Sequence, residues 1–260
     1  MKRILTSIFF ITIIMLIAVG CGKKQAPMDL YDSIHQRGKL VVGVKQDIKP
    51  FAYKTEDGTM QGFEVDIAKQ IANAILHDEN AIEFVVVEPS NRISMLNSGQ
   101  ADMLIATMTI TKSRSNIVDF SDPYYIAGQT ILVNKNSKIK SFTDLSNNRV
   151  GVSFGTTAID GIKTIAPGAM IQGYKTYDEA YKALKNNEID AFAADDTVLM
   201  GYTLSDKSVR MISQKYTQEP YGIAFRKGTE STRTIDIVNN VMNIMKTNGT
   251  MNQLKNKWFK

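Results

Sequence analysis

The sequence predicts an α/β protein with two lobes, in which short strands alternate with amphipathic helices around mostly parallel sheets. Runs rich in β-branched residues recur along the chain, helical patterns lie between them, and all six prolines fall between apolar segments. The strand runs are LVVGV at 40–44, FVVV at 84–87, MLIA at 103–106, ILV at 131–133, VGV at 150–152 and IAF at 223–225.

Two stretches carry the helical period of three to four residues. Residues at this spacing share one face of a helix, so each apolar stripe is predicted to pack against another element. The stripes consist of Val65, Ala68, Ile71 and Ile75 within 62–76, and of Ile235, Val238, Met242 and Met245 near the end of the chain.

The beginning of the chain is typical of an export signal. Two basic residues precede an apolar stretch at 4–20, and Cys21 follows. An uncleaved membrane helix is the alternative, although the stretch is short for a bilayer. Cys21 is the only cysteine, and acylation explains it better than an idle thiol in an oxidising compartment. We predict a lipoprotein signal peptide over 1–20, and lipidated Cys21 with a linker over 21–28.

The rest of the chain is long enough for two lobes, and extended connections between them suit 126–130 and 218–222. Its charges are interspersed, and basic residues form no stripe interleaved with aromatic ones. We therefore expect no nucleic-acid partner, and we expect a monomer.

Catalytic and metal-binding patterns are missing from the sequence. His35 and His77 are its two histidines, neither has the spacing of a metal ligand, and both are predicted to be solvated. Nucleophile elbows, phosphate loops and dinucleotide fingerprints are absent as well. The sequence therefore predicts a binding protein without metal or cofactor rather than an enzyme.

The segment ATMTITKSR at 106–114 is the first candidate binding motif. It follows an apolar run and places Thr107, Thr109 and Thr111 before Arg114. In one interpretation Thr111 caps a helix and Arg114 is a solvated residue of its first turn. In the other, hydroxyls, turn amides and a guanidinium face one point and clamp a carboxylate.

Two further motifs follow predicted strands. In FGTT at 154–157, a glycine permits a tight turn and Thr156 and Thr157 open a helix, either as simple caps or as binding groups. In IDAFAADD at 189–196, Asp195 ends a strand, where its carboxylate either accepts an ammonium group or serves as a loop or cap residue.

Several segments in fixed order, covering 40–259, resemble the family 3 solute-binding proteins of polar amino acid ABC importers. The resemblance implies a type II periplasmic-binding-protein-like fold: two lobes, each a mixed sheet flanked by helices, joined by two crossing strands. It implies one lobe from 29–127 plus 220–260, and a second from 128–219. The segments are GFEVDIAKQIANAI, NRISMLNSGQADMLIATMTITKSR, VDFSDPYY, GVSFGTT, EIDAFAADD and EPYGIAFRKG.

The same resemblance assigns roles to the candidate residues. It makes Arg114 the clamp of the ligand's α-carboxylate, helped by Thr109 and by the Thr157 turn of the other lobe. It makes Asp195 the acceptor of the α-ammonium, together with the carbonyl or hydroxyl of Thr107. Because Arg114 and Asp195 would then lie on different lobes, a ligand contacts both only when the cleft closes.

Side-chain specificity is predicted from three more positions. Phe51 falls in a loop that supplies an apolar wall in the family, which often has an aromatic residue where this chain has Ile48. Arg92 matches an arginine that receptors for acidic and amide amino acids direct at the ligand side chain. Lys45 matches a second cation of several glutamate and aspartate receptors, although either residue could be a surface charge. If both face the cleft unmatched, an anionic side chain pairs best. Glutamate or aspartate is favoured, followed by glutamine, with cystine as an alternative.

The resemblance implies an extracytoplasmic receptor that is held at the membrane by its lipid anchor and delivers a free amino acid to ABC permease and ATPase subunits. Two alternatives stay open. One is an enzyme similar to cyclohexadienyl dehydratases on the same fold, which would need a general acid. The other is a sensor domain that signals to a separate partner.

Overall fold

A computed structural model describes residues 28–259, in which strands and helices alternate along the chain. The strands are β1 (Leu40–Val44), β2 (Asp47–Ile48), β3 (Ala52–Lys54), β4 (Met60–Gln61), β5 (Ile82–Val86), β6 (Met103–Leu104), β7 (Val118–Phe120), β8 (Tyr125–Ala127), β9 (Gln129–Asn134), β10 (Arg149–Ser153), β11 (Met170–Tyr174), β12 (Ala191–Asp195), β13 (Val209–Met211), β14 (Glu219–Tyr221) and β15 (Ala224–Arg226). The helices are α1 (Leu30–Arg37), α2 (Phe63–Leu76), α3 (Arg92–Asn97), α4 (Lys112–Ser115), α5 (Ala158–Ile165), α6 (Tyr177–Lys185), α7 (Asp196–Ser205), α8 (Thr232–Thr247) and α9 (Thr250–Trp258), with 3-10 turns at Phe142–Leu145 and Thr229–Ser231.

The first lobe is built on a sheet with the strand order β5-β1-β6-β15-β7. Strand β1 is parallel to β5 and β6, so that Val42 lies between Phe84 and Met103, whereas β15 is antiparallel to β6 and β7. Helix α2 packs against β1 and α8, and its predicted apolar stripe is fully buried. The periodicity of the sequence therefore identified the core face of α2 correctly.

The second lobe repeats this plan with the strand order β11-β10-β12-β9-β13. Strand β10 is parallel to β11 and β12, and β9 is antiparallel to β12 and β13. Both sheets are therefore mixed, as the resemblance implies, and they are also mostly parallel, as the alternation predicts, since four of the five strands in each sheet run in one direction. The exceptions are β9 and β15, the strands by which the chain enters the second lobe and returns to the first.

Two antiparallel strands connect the lobes. In this pair, β8 and β14, Tyr125 lies opposite Tyr221 and Ala127 lies opposite Glu219. The first leads into β9 and the second leads back to β15. The architecture is thus two-lobed with two crossing strands, near the stretches predicted to be extended. The lobe boundaries between 127 and 128 and between 219 and 220 stay a prediction.

All six predicted strand runs coincide with or overlap observed strands. Strand β11 is among those that sequence patterns did not predict, because it is an edge strand with little burial and a glycine near its end. His35 and His77 are both exposed, as predicted.

Among residues 28–259, no helix has the length and the apolar character needed to span a membrane. The predicted signal peptide at 1–20 and the predicted lipidation site at Cys21 lie outside the described residues.

Candidate functional site

The cleft between the lobes is formed where parallel strands of the two sheets end. In the first lobe Lys45 follows β1 and Thr107 follows β6. In the second lobe Gly155 follows β10 and Asp195 is the last residue of β12. Open α/β sheets bind ligands at the carboxyl ends of their strands, so this cleft is the candidate binding site.

Arg114 is buried in the cleft, with 9% of its surface exposed. It lies in α4, whose N-cap residue Thr111 accepts a hydrogen bond from the Arg114 backbone N–H at 3.2 Å. Its Nη1 donates to the Thr109 carbonyl at 2.7 Å, and its Nη2 donates across the cleft to the Gly155 carbonyl at 2.9 Å. Burial and the charge of Arg92 lower the pKa of Arg114 to about 10, so it stays charged at neutral pH. The predicted cap is confirmed, and the alternative of a solvated Arg114 is wrong.

Arg92, the first residue of α3, is buried beside Arg114. Its Nη1 donates to the Ala106 carbonyl at 2.8 Å and its Nη2 reaches the Gly155 carbonyl at 3.4 Å, while its buried Nε has no partner among the described residues. Gly155 has a φ of 77°, and a Cβ there would lie 2.2 Å from the Pro89 carbonyl oxygen. Only glycine lets the two lobes approach this closely.

Asp195 faces the cleft from the second lobe, with 8% of its surface exposed. It occupies the N-cap position of α7 but makes no capping hydrogen bond there. Its Oδ2 accepts a hydrogen bond from the Tyr221 hydroxyl at 2.6 Å. Burial, with a smaller effect of Glu219, raises the pKa of Asp195 to about 7. The carboxylate therefore gains from a nearby positive charge.

Thr109 presents its backbone carbonyl to Arg114, and Thr107 lies two residues before it. Thr107 has a φ of 45°, a left-handed conformation that is uncommon for a β-branched residue. Its N–H donates to the buried Glu64 Oε1 at 2.7 Å, and its buried hydroxyl has no partner among the described residues. Backbone strain and an unpartnered hydroxyl at one residue are typical of a ligand-binding turn.

The turn at Thr156 and Thr157 is tied to the connection between the lobes. The Thr156 hydroxyl donates to the Ser153 carbonyl at 2.7 Å, which stabilises the turn itself. The Thr157 hydroxyl donates to Glu219 Oε2 at 3.0 Å and accepts a hydrogen bond from Gln129 Nε2 at 2.5 Å. Glu219 and Gln129 are not among the predicted site residues, because their relation to Thr157 exists only in the folded chain.

Lys45 is fully buried, and its ammonium is paired within its own lobe. Its Nζ contacts the Glu88 carboxylate directly and lies 3.4 Å from Asp47 Oδ1. The alternative of a surface charge is therefore wrong for both Lys45 and Arg92. The premise of two unmatched cations is also wrong, since Lys45 has two carboxylate partners.

Phe51 lies in an aromatic cluster rather than among the polar groups. Its ring is fully buried, with centroids 5.9 Å from Phe63, 5.0 Å from Tyr125, 6.1 Å from Tyr221 and 5.1 Å from Phe259. These contacts give Phe51 a packing function at the base of the crossing strands. Its predicted function as a wall of the ligand site stays a prediction.

Glu64 is a buried carboxyl that sequence reasoning missed. It lies in the first turn of α2, and its Oε1 accepts hydrogen bonds from the Thr107 N–H and the Tyr124 hydroxyl. Burial raises its pKa to about 7, while these hydrogen bonds and the charges of Arg92 and Lys45 act in the opposite direction. Its place in the apolar stretch FEVDI is the one signal of burial in the sequence.

Residues 40–260 match the family described as bacterial extracellular solute-binding proteins, family 3. The chain belongs to this family. The sequence of this solute-binding protein is 36% identical to the ABC transporter glutamine-binding protein GlnH of Bacillus subtilis, over 100% of this chain and 98% of that protein. It is 43% identical to the glutamine-binding protein of Geobacillus stearothermophilus, over 77% of each.

Among solved structures, the solute-binding protein is similar to the ancestral amino acid-binding protein AncCDT-1, described as a precursor of cyclohexadienyl dehydratase. The TM-score is 0.79 at 38% identity, and the match covers 88% of this chain and 99% of that one. The family and the two-lobed fold predicted from the sequence are therefore confirmed.

We expect Glu64→Gln to stabilise the solute-binding protein more at high pH than at low pH. The pKa of Glu64 is higher in the folded state than its ordinary value of 4.5, so below about pH 4.5 the carboxyl is protonated in both states and costs nothing. As the pH rises from 4.5 to about 7, the carboxyl ionises in the unfolded state but stays protonated in the folded state, which lowers the free energy of unfolding of the wild type. The amide variant has no such ionisation and keeps its stability.

Urea denaturation of wild type and Glu64→Gln between pH 4.5 and 8 measures this difference. The exposed Glu83, paired with Lys39 on the surface, provides the matched control Glu83→Gln. A stability difference for Glu64→Gln that does not change with pH would contradict the account.

Proposed function

We propose that this protein is the receptor subunit of an ABC importer and closes around one free polar amino acid, with glutamine as the leading ligand. The observation that carries the proposal is that a buried guanidinium of one lobe and a buried carboxylate of the other, Arg114 and Asp195, share one cleft. The names of the glutamine-binding relatives support it, and other relatives are named for glutamate, arginine and cystine.

Arg114 is the proposed clamp of the ligand's α-carboxylate. Each amino group of its guanidinium donates one N–H to a backbone carbonyl, of Thr109 or Gly155, and retains a second N–H. Two parallel N–H groups fit a carboxylate bidentately, and Arg is well suited to this geometry. The Thr156 and Thr157 turn supplies further polar groups from the opposite lobe.

Asp195 is the proposed acceptor of the α-ammonium, together with Thr107. An ammonium group beside Asp195 favours the ionised carboxylate, which burial otherwise disfavours. The Thr107 hydroxyl, which has no hydrogen-bond partner within 28–259, and the Thr107 carbonyl offer further acceptors on the first lobe. The two poles of one amino acid are thus bound by opposite lobes.

Closure of the cleft follows from this division. We assign 29–127 and 220–260 to one lobe and 128–219 to the other, so that rotation at the crossing strands separates Arg114 from Asp195. A ligand that contacts both residues only in the closed state shifts the population toward closure. The closed lobes then present the surface that a permease and its ATPase subunits recognise.

Glutamine takes precedence over glutamate and aspartate for two reasons. The two relatives with this ligand in their names match the chain at 36% and 43% identity. In addition, the pairing of Lys45 with Glu88 and Asp47 removes the unmatched cation that favoured an acidic side chain. Arg92 stays available to an amide oxygen through its unpartnered Nε.

An enzymatic function is the alternative that one solved structure brings forward, since AncCDT-1 is described as a precursor of a dehydratase. The proposal of a non-catalytic receptor is supported by the presence of polar groups for both poles of an amino acid. Formation of an aromatic product from prephenate or arogenate would overturn it.

Replacing the clamp is expected to abolish binding without unfolding the protein. Arg114→Ala should raise the Kd for glutamine by at least about 100-fold, because it removes one partner of a buried charge pair. Isothermal titration calorimetry measures the Kd, and circular dichroism checks the fold. Arg233, whose exposed side chain pairs with the exposed Asp32, gives the control Arg233→Ala with near wild-type affinity. Wild-type affinity in Arg114→Ala would refute the clamp.

We further propose that the mature protein is anchored to the membrane through acylated Cys21, since a lone cysteine follows an export-type segment. Two acyl chains are sufficient for stable anchoring. Cys21→Ala should leave the protein either uncleaved or freely secreted, which immunoblotting of the membrane and soluble fractions of producing cells measures. Protein of the processed size in the membrane fraction at the wild-type level would contradict the anchor.

A further inference from the structure

Lys45 is a buried cation of the cleft that is paired with two carboxylates of its own lobe. Its side chain has 0% exposure, and its Nζ lies between two carboxylates of its own lobe, those of Glu88 and Asp47. The side chains of Glu88 and Asp47 retain 23% and 29% of their surface exposed, so Lys45 is the buried member of this cluster. One positive charge thus faces two negative charges, so this cluster carries a net negative charge.

The opposite side of Lys45 faces the second lobe. Its Nζ lies 5.6 Å from the centroid of the buried Tyr177 ring, at the start of α6. Burial and the negative charge of Asp195 raise the pKa of the Tyr177 hydroxyl, whereas Arg92 and Arg114 act in the opposite direction. Tyr177 therefore connects the Lys45 cluster with the residues proposed to bind the amino acid.

Glu88 is positioned by the same turn that positions Arg92. The Asn91 side chain accepts a hydrogen bond from the Glu88 N–H at 2.8 Å, and the Glu88 carbonyl accepts one from the Arg92 N–H at 3.0 Å. The carboxylate of Glu88 is thus fixed on the rigid start of α3. A fixed charge near a site acts on every ligand that enters it.

We infer that Glu88 and Asp47 make the site selective for an amide over an acidic side chain, by neutralising Lys45. This inference rests on the proposed function. An unpaired lysine would attract the side-chain carboxylate of glutamate. With both carboxylates in place, glutamate adds a further negative charge to a cluster that is already negative, whereas glutamine adds none.

Glu88→Gln tests the inference, because it keeps the shape of the side chain and removes one negative charge. We expect the ratio of the Kd for glutamate to the Kd for glutamine to fall by about tenfold or more, since one unit charge acts over a short distance in a partly desolvated site. Asp47→Asn should lower the ratio by less, because Asp47 is the more distant partner. Glu83→Gln, a change of the same kind on the exposed surface, should leave the ratio unchanged.

Lys45→Met gives a second test with the opposite sign. It leaves Glu88 and Asp47 without a counter-charge, so the same ratio should rise. Calorimetry with glutamine and glutamate on all variants measures the effect. If the wild type binds glutamine and the ratio stays within twofold in both Glu88→Gln and Lys45→Met, the charge inference alone is overturned. If the wild type binds neither amino acid, the proposed function is overturned together with it.

Discussion

The cleft depends on two buried groups of opposite charge, the Arg114 guanidinium on one lobe and the Asp195 carboxylate on the other. Each has a hydrogen-bond partner outside its own lobe. Arg114 directs one N–H at the Gly155 carbonyl across the cleft, and Asp195 bonds with Tyr221 of a crossing strand. Burying a charge is costly unless it is paired and hydrogen-bonded. Burial raises the pKa of Asp195 to about 7, which reflects the cost of ionising this carboxyl inside the protein. In the proposed function, a zwitterionic ligand supplies the opposite charge to both residues.

The fold supplies this arrangement through repetition. Each lobe ends its parallel strands at the same cleft, and the crossing strands β8 and β14 set the distance between the two sheets. Glu219 is part of one crossing strand and accepts a hydrogen bond from Thr157 of the second lobe. The crossing strand and the turn proposed to bind the ligand therefore share one polar network.

Much of the fold was predictable because burial imposes a period on the sequence, as the stripe of α2 and the run at 40–44 demonstrate. The positions of Arg114 and Asp195 followed from motifs at the ends of strands. The pairing of Lys45 with Glu88 could not be predicted, since the two residues are 43 positions apart along the chain. The burial of Glu64 could not be predicted either, because a carboxyl in the first turn of a helix ordinarily faces solvent.

Small-angle X-ray scattering measures whether the ligand brings the lobes together, because the radius of gyration depends on their separation. We predict that saturating glutamine reduces the radius of gyration of the wild type, and that Asp195→Asn shows no contraction at the same ligand concentration. Equal contraction of wild type and Asp195→Asn, or no contraction of a wild type that binds glutamine, would contradict the claim that gripping both poles brings the lobes together.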